Sequence, residues 1–220
     1  SSDADDCGAP LPISTRTATL RLLNLEDWPG KYEMFISYDK ERLNKTAILI
    51  ESLGKLFIVP NTLVELKLKV TKEVLEATDK LFVRVVPFFR TQSEASQSVN
   101  VCGIHSVTNS GKPMRPNHQH LVLSSESGAT YHTDPESQRH NVVIPVFPEL
   151  SENGSGRLVI TLKFTDRPEC ALGLSSRAIG ALFTLETASE ILGRTKIRVR
   201  LTFQPEKISQ FESDEKKRQK

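Results

Sequence analysis

Leu63-Val64-Glu65-Leu66-Lys67-Leu68-Lys69-Val70 alternates apolar Val64, Leu66, Leu68 and Val70 with charged Glu65, Lys67 and Lys69. A two-residue period belongs to a strand with one face buried and the other in water. Segments rich in Val, Ile, Leu, Phe and Thr recur on either side between turn signals, and none keeps a helical period until the end of the chain. Strands are expected over residues 32–38, 46–50, 56–59, 63–70, 81–89, 120–123, 130–132, 139–146, 157–164, 179–185 and 195–203. So many short strands are expected to pack as two facing sheets, an all-β fold.

Three stretches resist the strand reading: residues 90–111, residues 165–176 and the tail from Gln204. Irregular loops on a rigid scaffold carry most binding groups, so function is expected there. In the tail, Pro205 suits the first turn of a helix, Glu206 its positive end, and Lys216 and Lys217 its negative end, with Ile208 and Phe211 read as one shared face. A short helix is expected to close a single domain over residues 16–217, after a flexible segment 1–15 and before a frayed tail 218–220.

Of the 220 residues, 38% are hydrophobic and 25% charged, which suits a chain that buries a proper core. The formal net charge of +2 excludes a polybasic mat, so binding to nucleic acid has to come from a local cluster of cations. Cys7, Cys102 and Cys170 are too few and too odd a set for a secreted disulfide scaffold, and a reducing compartment is expected. No apolar run approaches the roughly 18 residues that span a bilayer, and no membrane association is expected.

Cys102 and His105 form a Cys-x-x-His pair in the first irregular stretch, and Asp166 and Cys170 an Asp-x-x-x-Cys pair in the second. Zinc accepts thiolate, imidazole and carboxylate, and two such pairs would pin the two loops together. The spacing alone leaves open two free thiols beside an exposed histidine. His118 and His120 are read as surface-facing polar residues. No Gly-x-Ser-x-Gly elbow, phosphate loop or His-Glu-x-x-His motif is present, so no enzyme is expected.

From about Asp27 to its end the chain resembles the DNA-binding core of the p53 family. Asp27-Trp28-Pro29-Gly30-Lys31-Tyr32 and Lys55-Leu56-Phe57 are similar to that family's first strand and its short second hairpin. Phe82-Val83-Arg84-Val85 precedes Cys102-Gly103-Ile104-His105 at the family's separation, and Gln119-His120-Leu121 follows after another loop. His140-Asn141-Val142-Val143-Ile144-Pro145-Val146, Leu192-Gly193-Arg194, Arg198-Val199-Arg200 and Gln204-Pro205 complete the series in order. The resemblance implies an immunoglobulin-like β-sandwich with a structural zinc joining two long loops and a C-terminal loop-sheet-helix surface on duplex DNA. Cys102, His105 and Cys170 match the family's ligands, whereas Asp166 stands where the family has cysteine.

By the same resemblance Arg200 falls on a phosphate-contacting arginine, Lys207 on the arginine that reads guanine, Gln204 on a base-contacting position and Lys45 on the lysine of the first loop. Lysine reaches guanine O6 and N7 without the planar fork of arginine. The minor-groove arginine falls on Ser176, and Arg177 beside it either shares that role or braces the loop. Asp166, Glu169 and Glu206 lie near the expected DNA face and repel phosphates. Ser106 and Val107 replace a Glu-Arg pair through which family domains self-associate. A nuclear (and cytoplasmic) transcription activator of stress, apoptosis or germline-type genes is implied, tetramerising through a segment outside this chain. The rival is an extracellular immunoglobulin-like adhesion module, because Asn44-Lys45-Thr46 and Asn153-Gly154-Ser155 are glycosylation patterns.

Overall fold

The computed structural model describes residues 23–38, 42–77, 80–107, 110–113, 115–166, 174 and 177–219. The strands in chain order are β1 (Phe35–Ile36), β2 (Arg42–Asn44), β3 (Ala47–Ile50), β4 (Lys55–Ile58), β5 (Leu63–Lys69), β6 (Phe82–Phe89), β7 (Val122–Ser124), β8 (Thr130–Thr133), β9 (His140–Pro145), β10 (Arg157–Phe164), β11 (Ile179–Glu186) and β12 (Ile191–Leu201). A short helix α1 (Gly103–Ser106) interrupts the first long loop, and α2 (Pro205–Arg218) follows β12. One sheet has the order β1-β5-β10-β7 and the other β2-β3-β4-β12-β11-β6-β9-β8, so the β-sandwich is present. Pairing is antiparallel except between β4 and β12, which run parallel with Arg198 beside Lys55 and Leu201 beside Ile58.

The facing sheets share one core. Val64, Leu66 and Leu68 of β5 and Leu158, Ile160 and Leu162 of β10 meet Val83, Val85, Phe183, Ile197 and Val199 of the large sheet. β5 and β10 alternate buried and more open positions as their period demands. β6 and β11 do not alternate, for every residue in both is buried. Their outward side chains Val86, Phe88 and Leu182 form a second small cluster covered by Leu23 and Leu25, so the chain entering the domain roofs the sheet. Gly180 makes this possible, because a Cβ there would stand 2.5 Å from the Phe88 ring.

Several boundaries differ from those expected. The segment from Tyr32 contributes only Phe35–Ile36 to a sheet. Gly30 and Glu33 hold positive φ, and a Cβ on Gly30 would lie 1.8 Å from the Leu192 carbonyl oxygen, so the chain turns tightly against β12 before it extends. β12 starts at Ile191 and ends at Leu201, and the short strand β2 has no strong signal in Arg42-Leu43-Asn44. His120 precedes β7, bridges Asn100 and is buried, which corrects its reading as a surface residue. α2 includes Arg218, one residue past the expected boundary. Its packed side carries Pro205 and Ser209, whereas Phe211 is 59% exposed and shares no face with them. Lys55 Nζ holds α2 to β4 through both Glu212 carboxylate oxygens at 2.6 and 2.8 Å. Among the described residues no helix is long and apolar enough to cross a membrane.

Arg84 and Glu186 are an ion pair 4% and 1% exposed. Glu186 takes the Arg84 Nε–H on both oxygens at 3.2 Å and the Thr184 hydroxyl at 2.5 Å, while Arg84 Nη1 donates to Asn141. Removing one member of such a pair strands the other charge, at a cost of about 3–5 kcal/mol. Glu186→Ala is expected to lower unfolding free energy by that amount in chemical denaturation, and Arg84→Met with Glu186→Leu to recover most of it.

Candidate nucleic-acid interface

One end of the large sheet collects the irregular stretches. Ile179, the first residue of β11, pairs with Phe89 at the end of β6 and with Val199 near the end of β12. The loop leaving β6, the loop entering β11 and the chain passing from β12 into α2 therefore emerge together. Ala47 pairs with Ile58, which lies beside Leu201, so the β2–β3 turn carrying Lys45 reaches the same end.

Strand period places Ile197, Val199 and Leu201 of β12 in the core and turns Arg194, Lys196, Arg198 and Arg200 outward. The first two are occupied, as Arg194 Nε donates to the Glu26 carbonyl at 2.9 Å and Lys196 Nζ to that of Leu25. Arg200 is half-buried, and its Nε is buried without a hydrogen-bond partner among the described residues. Arg90 stands near Arg198, its pKa lowered by partial burial and then by that like charge, with Glu212 opposing. Gln204 caps α2 through its backbone position alone, with no side-chain cap bond, which leaves its amide exposed. Lys207 is exposed in the first turns of α2 and Lys45 is exposed in its turn. The Asn44 carboxamide organises that turn, accepting from Thr46 N–H and Oγ1 at 2.8 and 2.9 Å and donating to the Leu63 carbonyl at 3.0 Å.

Arg177 braces the loop. Its guanidinium carbon lies 3.6 Å from the Phe89 ring centroid, its Nε donates to Glu94 at 2.8 Å, and Nη2 reaches Glu94 and, at 3.2 Å, Gln97. The Thr91 hydroxyl, then Arg177, holds the Glu94 carboxyl below the usual carboxylate range. Ser176 lies outside the described residues.

Two further arginines, not singled out in the sequence, tie the loops to the scaffold. Arg115 donates to the Asn117 and His120 carbonyls at 2.8 and 3.1 Å and to Thr165 Oγ1 at 2.7 Å. Arg139 donates to the carbonyls of Gln97, at 3.0 Å, and Ala95. The only sign of either in the sequence is an arginine within or beside an irregular stretch. Ser106 is buried and donates to the Gly103 carbonyl at 3.1 Å, so it is not part of a surface patch.

Of the expected metal ligands, Cys102 is buried just before α1, and His105 is described by its backbone alone within α1. Asp166 is 1% exposed. Its Oδ2 accepts the Leu174 N–H at 2.9 Å, while Oδ1 is buried with no hydrogen-bond partner among the described residues. A lone buried carboxylate oxygen calls for a proton donor or a cation. Cys170 lies outside the described residues, and those described hold no group of three metal-binding side chains.

The sequence model of the P53 DNA-binding domain matches residues 24–216. The chain belongs to the P53 DNA-binding domain family. It is similar to proteins called cellular tumor antigen p53: 26% identical over 195 residues to that of Oryzias latipes, covering 87% of this chain and 53% of the relative. The Xiphophorus hellerii protein is 29% identical over 121 residues, covering 54% and 34%, and the Platichthys flesus protein 26% over 179 residues, covering 80% and 46%. The chain thus spans about half the length of these relatives or less. A p53-family DNA-binding domain is a binding module, in keeping with the expectation that the chain is no enzyme, and nothing found favours the adhesion module.

In this p53-family domain a histidine cluster gathers beside β7, β8 and β9. The His120 and His140 ring centroids are 4.5 Å apart, His120 Nε2 lies 3.2 Å from the His132 carbonyl, and His140 Nδ1 lies 2.8 Å from the Thr133 hydroxyl. Burial, then the neighbouring His140, pushes the His120 pKa down to about 4, and burial also lowers those of His132 and His140. A depressed imidazole pKa means that the unfolded chain binds more protons below pH ~6.5, so the stabilisation is complete above that value and falls as the pH drops towards 4. His120 alone is expected to cost about 2 kcal/mol between pH 6.5 and pH 5. Denaturant titrations at the two pH values should show it, with a smaller difference in His120→Gln.

Proposed function

We propose that this domain binds duplex DNA sequence-specifically, and that the protein carrying it is a nuclear transcription regulator of the p53 kind. The observation that carries the reading is the meeting of Lys45, Arg200, Gln204 and Lys207 at one end of the large sheet. Among the described residues no hydrogen bond or ion pair occupies the Lys45 or Lys207 ammonium or the Gln204 amide. In this reading Arg200 and Lys45 neutralise phosphates and position the duplex, Lys207 donates to a guanine edge, and the Gln204 amide meets an adenine. Ser176 contributes no cation, and Arg177 acts by holding the loop. Self-association on DNA, activation, and target genes of stress, apoptosis or germline type belong to the whole protein and rest on the kinship alone.

The test is a salt-titrated affinity measurement on a family-type response element and on a scrambled duplex. Arg200→His is expected to weaken binding to both alike and to reduce the salt dependence, as loss of a phosphate contact does. Lys207→Ala is expected to relax discrimination at one guanine of each half-site by about 1–3 kcal/mol. Equal affinity of the parent for the two duplexes would overturn the reading.

One structural zinc held by Cys102, His105, Asp166 and Cys170 completes the proposal. The Asp166 oxygen without a partner among the described residues and the buried Cys102 fit it, since thiolate, imidazole and carboxylate are zinc donors. When bound, the ion would join the loop after β6 to the loop before β11. A carboxylate is a harder ligand than thiolate, so Asp166→Cys is expected to hold zinc against chelators better than the parent, and Asp166→Ala less well. Metal analysis decides: no zinc in any form removes the site, and equal retention in Asp166→Ala makes Asp166 a bystander.

A further inference from the structure

Phe203 is 53% exposed on the short connection between β12 and α2, three residues after Arg200 and immediately before Gln204. Two of the other exposed aromatic residues have a cation near the ring, with Arg194 6.0 Å from the Trp28 centroid and Lys69 5.4 Å from that of Phe35, whereas Phe147 and Phe211 are exposed without one among the described residues. Phe203 has no such contact among the described residues. Its backbone surroundings are fixed, because Thr202 N–H donates to the Ile58 carbonyl at 3.0 Å and Gln204 N–H to Thr202 Oγ1 at 3.1 Å. With Gln204 as the cap of α2, Phe203 and Ile208 hold the two sequence positions that a hydrophobic staple joins. A staple uses one face of a ring, and more than half of this one remains open to solvent.

An open aromatic ring beside side chains that contact bases has a specific use. The thymine C5-methyl group projects into the major groove and is the one apolar feature of the base edges there, and it is read by apolar contact. Resting on the DNA-binding reading above, we propose that Phe203 is a base-reading residue whose open face packs on the C5-methyl group of a pyrimidine next to the guanine contacted by Lys207. Arg200 sets the backbone register, Lys207 supplies the polar contact and Phe203 the apolar one, so three neighbouring positions together distinguish a thymine step. Phe211, 59% exposed one turn beyond Lys207, is the natural comparison.

The experiment uses a duplex selected by the protein from a random-sequence pool, with each thymine replaced in turn by uracil, which removes only the methyl group. The parent is expected to lose about three- to tenfold in affinity at one position of each half-site, the effect of burying one methyl. Phe203→Ala should be indifferent to that replacement, Phe203→Leu should keep part of it, and Phe211→Ala should keep all of it. A 5-methylcytosine at the same position, compared with cytosine, shows whether the methyl alone suffices or thymine itself is required. A purely stapling role would weaken every duplex alike and leave the methyl effect in Phe203→Ala, which would overturn the proposal. Indifference of the parent to every uracil would also overturn it while leaving DNA binding standing, whereas failure to select any duplex would overturn both.

Discussion

Strand β12 is held on both edges, antiparallel to β11 and parallel to β4, and that double pairing governs the rest of the molecule. With both edges bonded the strand cannot rotate, so its two-residue period sends Ile197, Val199 and Leu201 into the core and four cations outward. The pairing also decides where the strand stops. Thr202 makes its last bond to the Ile58 carbonyl, and Pro205, which has no N–H to give, starts α2. Arg200, Gln204 and Lys207 thus lie at the end of a rigid central strand and the start of a helix clamped to β4 through Lys55 and Glu212.

The long loops lie outside that pairing. They are held by guanidinium groups that donate to backbone carbonyls, Arg115 across the two loops and Arg139 into the stretch after β6. Arg177 adds a ring contact and a carboxylate. Planar forks with several donors suit this work, because one side chain satisfies carbonyls that no strand or helix can reach. Asp166 departs from the pattern: a buried carboxylate with only one oxygen satisfied among the described residues is the least self-sufficient point of the scaffold.

The outer face of the large sheet shows how a net charge of +2 is compatible with a local cluster of open cations. Leu23 and Leu25 cover the apolar side chains of β6 and β11, and the same segment gives its carbonyls to Arg194 and Lys196. Charge on that face is absorbed near the entering chain and left open near the β12–α2 junction. The distribution of partners, more than the number of cations, decides which charges on that face stay open.

The alternation of Val64, Leu66, Leu68 and Val70, and the proline with flanking charges at 205–217, determined by themselves that strands pack as two layers and that a helix closes the chain, because period and caps are local properties. The family resemblance singled out Arg200, Gln204, Lys207 and Lys45, and strand register brings the chain segments that carry them to one end of the large sheet. Only the tertiary structure decided which side chains were already engaged. It committed Arg177 to Glu94 and Phe89, buried His120 against His140, and exposed Phe203 and Phe211. It also buried both faces of β6, which alternation cannot foresee, since the cover comes from residues about sixty positions earlier in the chain. Partners distant in sequence leave no period and no spacing, so their selection belongs to packing.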